Sequence, residues 1–114
     1  MTYLDLMEAL RELDLDVAYG EFKQSTSPPF AIVLENENDD MYADNLNYKK
    51  ITSCSIEYYN DIKHPPTEEQ IEGVLQGLGL TYQKRETIIE SESMFQVVYD
   101  LQIIWGGVWM WSLD

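Results

Sequence analysis

A long run of alternating side chains near the C-terminus constrains the fold of this chain more than any other feature. Between residues 95 and 105 an apolar side chain stands at every second position: Phe95, Val97, Tyr99, Leu101, Ile103 and Trp105. Gln96, Asp100 and Gln102 lie between them, which predicts a strand with one face in a core and the other towards polar surroundings. The run is about twice as long as a typical strand. It therefore needs further strands and a covering layer, and predicts a sheet packed on other elements.

Two segments have the periodicity of amphipathic helices. The first opens on Thr2 and Asp5, which have the spacing of a capping box, and its apolar stripe is Tyr3, Leu6, Met7, Leu10 and Leu13. The second follows two prolines and opens on a predicted capping box from Thr67 to Gln70. Its stripe is Ile71, Val74, Leu75 and Leu78, and Gly79 is the expected C-terminal stop.

Two acidic residues, Glu68 and Glu69, stand at the start of the second helix and are expected to lie on its solvated face. A carboxylate near the positive end of a helix dipole contributes about half a kcal/mol. We therefore predict that Glu68→Gln is nearly neutral for stability.

Four further segments are predicted to be strands. They are Leu15–Phe22, the apolar run Phe30–Leu34, Ile51–Tyr59 and Leu80–Glu90. Because Phe30–Leu34 is continuously apolar, we expect it to be covered on both faces. The order is α-β-β-β-α-β-β, which predicts a single α+β domain over residues 1–114 with a mainly antiparallel sheet and two helices.

Two segments fall outside this pattern. Residues 35–50 have no clean period and are acidic, which predicts a long exposed loop, and residues 36–48 should be the least ordered internal part of the chain. Residues 106–114 form an apolar C-terminal tail after a glycine pair. Asn36, Asn38 and Asp40 have the spacing of early EF-hand ligands, but Met41 stands where that loop needs glycine. A solvated acidic loop is the default interpretation.

The charge of the chain excludes several partners. Twenty-one acidic residues against seven Lys and Arg give a net charge of −14 in 114 residues. A chain without a basic patch is not expected to bind nucleic acid tightly or to bind an anionic membrane surface. The single cysteine rules out an internal disulfide, and the start of the chain lacks the pattern of a signal peptide. We expect a cytoplasmic setting or a particle assembled in the host cytoplasm.

No pattern in the chain predicts an enzyme. The only cysteine, Cys54, lies on the apolar face of a predicted strand, and the only histidine, His64, lies in a proline-rich turn. A buried small side chain and an exposed turn residue explain them better than a catalytic pair. Carboxylate pairs arise by chance in so acidic a chain. We therefore predict no enzymatic activity, no cofactor and no metal.

Two stretches of the sequence resemble a known family. They are SPPFAIVLENENDDMYADNLNYKKITSCSIEYYNDIKHPPTEEQIEGVL and IESESMFQVVYDLQI. The order and spacing of these segments, over roughly residues 15–104, resemble the small tail-completion proteins of long, non-contractile-tailed bacteriophages of Gram-positive bacteria. The resemblance implies a structural virion protein that closes the head-proximal end of the tail tube as a ring, commonly of six subunits. Its partners would be its own copies, the tail tube protein and the head connector, with DNA passing through an acidic ring.

We expect subunit and tube contacts in the acidic loop, and the tryptophan-rich C-terminus has two interpretations, the end of the core or an exposed patch that docks a partner. The candidate interface residues are Asp39, Asp40, Met41, Tyr42, Asp44, Asn45, Tyr48, Trp105, Trp109 and Trp111. The long strand at residues 95–105 would supply an edge for a neighbouring subunit. The acidic excess favours a monomer in dilute buffer, and the tube or raised salt would promote the ring.

Two alternatives remain open. A head-side member of the connector stack has a similar size and setting, and composition does not separate it from a tail terminator. An acidic mimic of DNA that occupies a host nucleic-acid-binding site also suits a small chain of this charge.

Overall fold

The protein is a single α+β domain, as predicted. The computed structural model describes residues 2–38 and 49–106, with side chains except at residues 37, 38, 49–52 and 104–106. In chain order the elements are α1 (Tyr3–Arg11), β1 (Asp16–Tyr19), β2 (Phe30–Asn38), β3 (Lys49–Asn60), α2 (Pro65–Gly77), β4 (Tyr82–Ile89) and β5 (Met94–Gly106). A 3-10 turn at Glu90–Glu92 precedes β5. The predicted order α-β-β-β-α-β-β is therefore confirmed.

The strands form one sheet with the order β1-β2-β3-β5-β4. β1 pairs with β2 in parallel, and the remaining neighbours are antiparallel. β3 and β5 pair along the whole of β3, from Lys49 opposite Gly106 to Asn60 opposite Phe95. These two long central strands explain the elongated shape, which measures 51 × 25 × 24 Å.

The hydrophobic core lies between one face of the sheet and the two helices. α1 contributes Leu6, Met7 and Leu10, and α2 contributes Ile71 and Leu75. Four of the six predicted inward positions of β5 are confirmed, because Val97, Tyr99, Leu101 and Ile103 are buried, whereas Phe95 is half-buried and the side chain of Trp105 lies outside the described ones. The strand residues of this core, which we call the inner face, are Val17, Ala31, Val33, Cys54, Ile56, Tyr58, Val97, Tyr99, Leu101 and Ile103.

The other side of the sheet, the outer face, carries the alternate residues of each strand. The prediction that β2 is covered on both faces is confirmed only in part, because Ala31 and Val33 are fully buried while Ile32 and Leu34 are half-buried. Both helices pack on the inner face, and the apolar side chains of β2 on the outer face therefore stay partly exposed.

The hydrogen-bonding requirements of the backbone explain where each helix begins. The backbone N–H of Thr2 donates to Asp5 Oδ2 at 2.8 Å, which is one half of the predicted capping box. The predicted start of α2 at Thr67 is wrong. His64 is the N-cap, because Pro65 and Pro66 need no N–H partner and fit the first turn of a helix.

The C-terminus of α2 ends as predicted. Gly79 has a φ of 75°, in the left-handed region that favours glycine. The N–H of Gly79 donates to the Gln76 carbonyl at 3.0 Å, and that of Leu80 donates to the Leu75 carbonyl at 2.9 Å. This pair of bonds is a Schellman motif, and it brings Leu80 back onto the core beside Leu75.

The prediction of a loop over residues 35–50 is wrong at both of its ends. Glu35–Asn38 continue β2 and Lys49–Lys50 begin β3, with a register shift between Glu35 and Glu37. Residues 39–48 lie outside the described residues, and so does most of the segment 36–48 that was predicted to be least ordered.

The predicted strands β1 and β5 also need correction. β1 spans four residues rather than the whole of Leu15–Phe22. β5 was expected to offer an edge, but its first part, Met94–Leu101, lies between β3 and β4. Alternation reports which face of a strand is buried and carries no information on strand order. Among residues 2–38 and 49–106, no helix is long and apolar enough to cross a membrane.

Candidate functional site

The structure leaves most of the predicted interface residues undescribed. Outside the described residues lie Asp39, Asp40, Met41, Tyr42, Asp44, Asn45, Tyr48, Trp109 and Trp111, together with the rest of the tail after Gly106. Trp105 is described as a backbone position of β5, opposite Lys50. Their role as an interface stays a prediction.

The sheet brings the attachment points of the two predicted interface segments together. The acidic segment connects Asn38, the last residue of β2, to Lys49, the first residue of β3, and the tail follows Gly106, the last residue of β5. Lys49 pairs with Gly106, and Asn38 pairs with Thr52 close by. We call this end of the sheet the distal end. Both segments therefore start from it, although they are more than fifty residues apart in sequence.

A polar groove of about 680 Å³ lies beside the distal end. Its walls come from β2, β3, β4 and β5, and the residues that line it are Asn36, Ser53, Cys54, Thr81, Tyr82, Gln83, Asp100, Leu101 and Gln102. Amide and hydroxyl groups dominate this lining. Such groups can hydrogen-bond a peptide segment, and they include no strong nucleophile that is accessible.

A chain of hydrogen bonds crosses the sheet at this groove. Asn36 Nδ2 donates to Ser55 Oγ at 2.8 Å, and Ser55 Oγ donates to Asp100 Oδ1 at 2.9 Å. The second oxygen of Asp100 accepts from Arg85 Nε at 2.9 Å. The Arg85 guanidinium, with help from Ser55, holds the pKa of Asp100 below its usual value. The carboxylate is thereby kept ionised and satisfied, which suits a structural link between β2, β3, β5 and β4.

An aromatic ladder occupies the other end of the outer face. Phe22 packs edge-on against Phe30 with ring centroids 5.3 Å apart, and Phe30 stacks on Tyr59 at 5.0 Å. The Tyr59 hydroxyl accepts from Gln96 Nε2 at 2.9 Å and donates to Glu57 Oε1 at 3.1 Å. Burial raises the pKa of Tyr59, and the neighbouring carboxylate of Glu57 adds to the effect. Through Phe22, the ladder packs the connection between β1 and β2 against this end of the outer face.

The strongest electrostatic feature joins α2 to β4. Glu68 is 3% exposed, and its carboxylate contacts Lys63 Nζ at 2.8 Å and Lys84 Nζ at 2.9 Å. Lys84 also contacts Glu72 at 2.7 Å, and Lys63 contacts Glu86 at 2.8 Å. We call these five residues the ionic clamp. The prediction that Glu68 lies on a solvated face is wrong.

The pKa values of the clamp show which effect dominates. Burial alone would raise the pKa of Glu68, but hydrogen bonds from Lys63 and Lys84 outweigh it, and the pKa is lowered. Burial likewise opposes the charge of Lys84, yet bonds to Glu72 and Glu68 leave its pKa raised. Tyr99 donates to Glu72 Oε2 at 2.9 Å and links the clamp to the core. The clamp consists of mutually satisfied charges, as a structural ion-pair network does.

The two residues considered for catalysis have structural positions. Cys54 is 1% exposed on the inner face, and burial, with a smaller effect of Glu35, raises the pKa of its thiol to about 11. His64 is the N-cap of α2, and its Nδ1 lies 2.7 Å from Thr67 Oγ1. Asn36, considered for calcium, is hydrogen-bonded to Ser55. Within the described part of the chain, no group of three His, Cys, Asp or Glu residues is placed to hold a metal ion.

Comparison with known proteins adds one finding. No family model matches the chain, and no curated protein matches it. A chain in the solved structure described as the virion of a native gene transfer agent particle does match. The TM-score is 0.55 at 12% sequence identity, over 86% of this chain and 82% of that one. The two chains share a fold. The agreement covers most of both chains, so it includes the sheet and is not confined to one hairpin.

Proposed function

We propose that this protein is a structural component of a phage or phage-like virion. The observation that carries the proposal is the fold that it shares, over most of its length, with a chain of a gene transfer agent virion. Structural neighbours at this identity report the fold, and a fold can serve several functions. The family resemblance of residues 15–104 points in the same direction through the order and spacing of sequence segments, which is a separate line of support.

We infer further that the protein is the tail terminator, which closes the head-proximal end of the tail tube as a ring and presents a surface to the head connector. Its distal end carries both segments predicted to contact partners, so one end of an elongated subunit would serve the contacts. The net charge of −14 suits a ring through which DNA slides, since an acidic lining repels phosphates. The free chain would be a monomer at low salt for the same reason.

A head-side position in the connector stack is the second candidate. The name of the matched particle refers to a whole virion, so the shared fold supports a head-side protein as well as a tail protein. The two candidates differ in the particle to which the purified protein adds. A tail terminator adds to tails, whereas a head completion protein adds to filled heads.

Infection without the gene tests the proposal. A tail terminator predicts filled heads beside separate tails that are over-long or unfinished, and added purified protein restores joining. Leu4→Ser, at a 56% exposed side chain outside the two predicted interface segments, should restore joining as well as the natural protein does. Filled heads that accept the protein while tails do not would favour the head-side position. Normal joining without the gene would refute both, and co-purification with a basic host enzyme would then favour the DNA mimic.

A further inference from the structure

The strand β4 forms an edge of the sheet that no described strand covers. The strand order ends with β4, which pairs with β5 over its whole length, from Tyr82 to Ile89. Six of its eight residues are exposed, and the apolar Ile88 is 60% exposed. Among residues 2–38 and 49–106, the other side of β4 has no strand neighbour. Proteins usually cover or blunt a strand edge of this length, because its backbone groups can pair with another strand.

Hydrogen-bond parity shows which backbone groups this edge presents. The carbonyl of Val33 accepts from the Gly20 N–H at 2.9 Å, so Val33 directs its backbone groups towards β1. Successive residues of a strand alternate in this respect. Following the registers across the sheet, Tyr99 faces β3 and Gln83 faces β5. The β4 residues whose backbone groups point away from β5 are therefore Tyr82, Lys84, Glu86 and Ile88.

The opposite edge of the sheet, at β1, is short and is closed by the chain itself. By the same alternation, Val17 and Tyr19 direct their backbone groups away from β2. The carbonyl of Val17 accepts from Arg11 Nη2 at 3.2 Å, and that of Tyr19 accepts from the Glu21 N–H at 2.8 Å. Of the two described edges, β4 is therefore the one that offers a long run of backbone groups for pairing.

We propose that the β4 edge pairs with β4 of a second copy, as antiparallel strands around a twofold axis at Arg85. This register places Lys84 opposite Glu86 of the second copy, and Tyr82 opposite Ile88 of the second copy. The residues that point outward in one copy then meet those that point outward in the other, as parity requires. The four hydrogen-bonded pairs exchange about eight backbone hydrogen bonds.

The charges of β4 select this register. Moving the axis by one residue in either direction places Lys84 opposite its own copy, or Glu86 opposite its own copy. Like charges that are directly opposite destabilise a strand pair, whereas opposite charges stabilise it. With the axis at Arg85, both residues meet the opposite charge. Arg85 meets its own copy on the outer face, but each guanidinium keeps a hydrogen bond of 2.9 Å to Asp100, which matches its charge.

The register also covers the exposed apolar side chain of the edge. Ile88 would lie beside Tyr82 of the second copy, on the inner face. Tyr82 packs edge-on against Tyr99 with ring centroids 5.4 Å apart, so its ring is already fixed by the core. A β-branched side chain opposite an aromatic ring is a favourable cross-strand pair.

The net charge of the chain sets the condition for pairing. Each copy carries −14, which opposes association at low salt. We therefore expect a monomer in dilute buffer and a dimer at raised salt, since the Debye length falls from about 10 Å at 0.1 M to about 3 Å at 1 M. A twofold contact closes at two copies, so it differs from a ring contact. It uses none of the candidate interface residues, and the inference does not depend on the proposed function.

A disulfide across the twofold axis tests the register. Arg85 and its copy form a non-hydrogen-bonded pair, whose Cα atoms lie about 4.5 Å apart, within the range of a disulfide. We expect Arg85→Cys to form a disulfide-linked dimer at least about tenfold faster than Thr87→Cys at about 0.5 M salt. Thr87 is the matched control because it is exposed on the same face of β4, and the register separates it from its copy by about 14 Å. Cys54 is 1% exposed and should not compete.

Two outcomes of trapping would overturn the proposal. Equal rates for the two variants would mean that the copies meet without this register. No linked dimer of Arg85→Cys, with a circular dichroism spectrum that matches the natural protein, would mean that a second copy does not cover this edge.

A proline on the edge tests the contact without a crosslink. The N–H of Ile88 points away from β5, so Ile88→Pro should leave the fold intact and remove a bond to the second copy. We expect this variant to raise the dissociation constant of the dimer at least about tenfold in sedimentation at raised salt. Ile88→Val keeps the N–H and most of the side chain and should dimerise as the natural chain does. A dimer that Ile88→Pro does not weaken would place the contact elsewhere and refute the proposal.

Amide hydrogen exchange of the natural chain gives a third readout. The N–H groups of Lys84 and Glu86 point outward, whereas those of Gln83 and Arg85 are bonded to β5 in the single copy. We expect exchange at Lys84 and Glu86 to slow at least about tenfold as protein concentration rises at raised salt, with little change at Gln83 and Arg85. Protection of Lys84 and Glu86 that is independent of concentration would mean that the edge is covered within one chain, and it would overturn the proposal.

Discussion

Replacing the buried carboxylate of the ionic clamp gives the most direct test of the structure. Glu68→Gln preserves the shape of the side chain but removes its charge, and the new amide group turns a donor towards the ammonium groups of Lys63 and Lys84. Breaking a buried ion pair by neutralising one partner typically costs about 3–5 kcal/mol. Lys63 and Lys84 are 39% and 36% exposed, so water partly compensates them for the lost ion pairs with Glu68. Both lysines also keep an ion pair with a second carboxylate. We therefore expect a cost of about 2 kcal/mol, between the buried value and the value of about 0.2–1 kcal/mol for surface pairs. This replaces the nearly neutral effect predicted from the sequence, which assumed that Glu68 is solvated.

The control for this variant is Glu69→Gln. Glu69 is the next residue of α2, has nearly the same position in the helix dipole and is exposed. Its loss should change the free energy of unfolding by less than about 0.5 kcal/mol. Urea unfolding followed by circular dichroism measures both, and a cost of about 2 kcal/mol lowers the midpoint by about 1 M at the slopes usual for small domains. Midpoints that agree within error for the two variants would refute the ionic clamp.

The pH dependence of the stability difference between the natural protein and Glu68→Gln tests the sign of the electrostatic argument. The pKa of Glu68 is lower in the folded protein than in the unfolded chain. Its contribution is therefore present above the unfolded pKa, which is about 4.3 for glutamate, and is lost as the pH falls through the folded value. The gap between the natural protein and Glu68→Gln should be full at neutral pH and shrink in acid. A gap that widens below the unfolded pKa would contradict a lowered pKa.

Three other experiments test the core. Leu75→Asp should abolish cooperative unfolding because it places a charge at a fully buried position, at a cost of several kcal/mol against a total of about 5–15, while Leu4→Asp at an exposed position should unfold normally. Tyr99→Phe should cost about 1 kcal/mol in a urea melt through loss of the 2.9 Å bond to Glu72, and no change would argue against that bond. The Cys54 thiol should resist a thiol reagent at pH 8 until the protein unfolds, since its pKa is about 11 and it is buried; rapid labelling of folded protein would contradict its position.

Local periodicity predicted the elements because it is a property of neighbouring residues. The alternation in β5 and the stripe in α2 each describe one face of one element, and the structure confirms both at Val97 and Leu75 among others. The prediction that α2 starts at Thr67 also failed for a local reason. A proline pair supplies a first turn without N–H groups, so the cap moves back to His64, and Thr67 turns its hydroxyl to the His64 ring instead.

The burial of Glu68 was not predictable from its own segment. One of its partners, Lys84, lies on a different element, sixteen residues further along the chain, and reaches the carboxylate because the sheet places β4 beside β5 under α2. Strand order is decided by the packing of the whole domain. Because strand order was not predictable, the sequence did not show that the first part of β5 lies between two other strands. It also did not show that the attachment points of the two candidate interface segments lie close together at the distal end.

The positions of the basic residues bear on what so acidic a chain can bind. Lys63 and Lys84 belong to the ionic clamp, Arg85 is paired with Asp100, and Arg11 donates to the Val17 carbonyl at 3.2 Å. Four of the seven cations of the chain are thus engaged with partners in the fold. A cation whose charge is matched by a nearby carboxylate contributes little field at a distance, so the excess acid dominates the potential outside the molecule. Displacing counterions from a nucleic acid requires clustered cations that are free to contact phosphates. The pairing of these cations is therefore consistent with the proposed acidic ring, through which DNA would pass without being held.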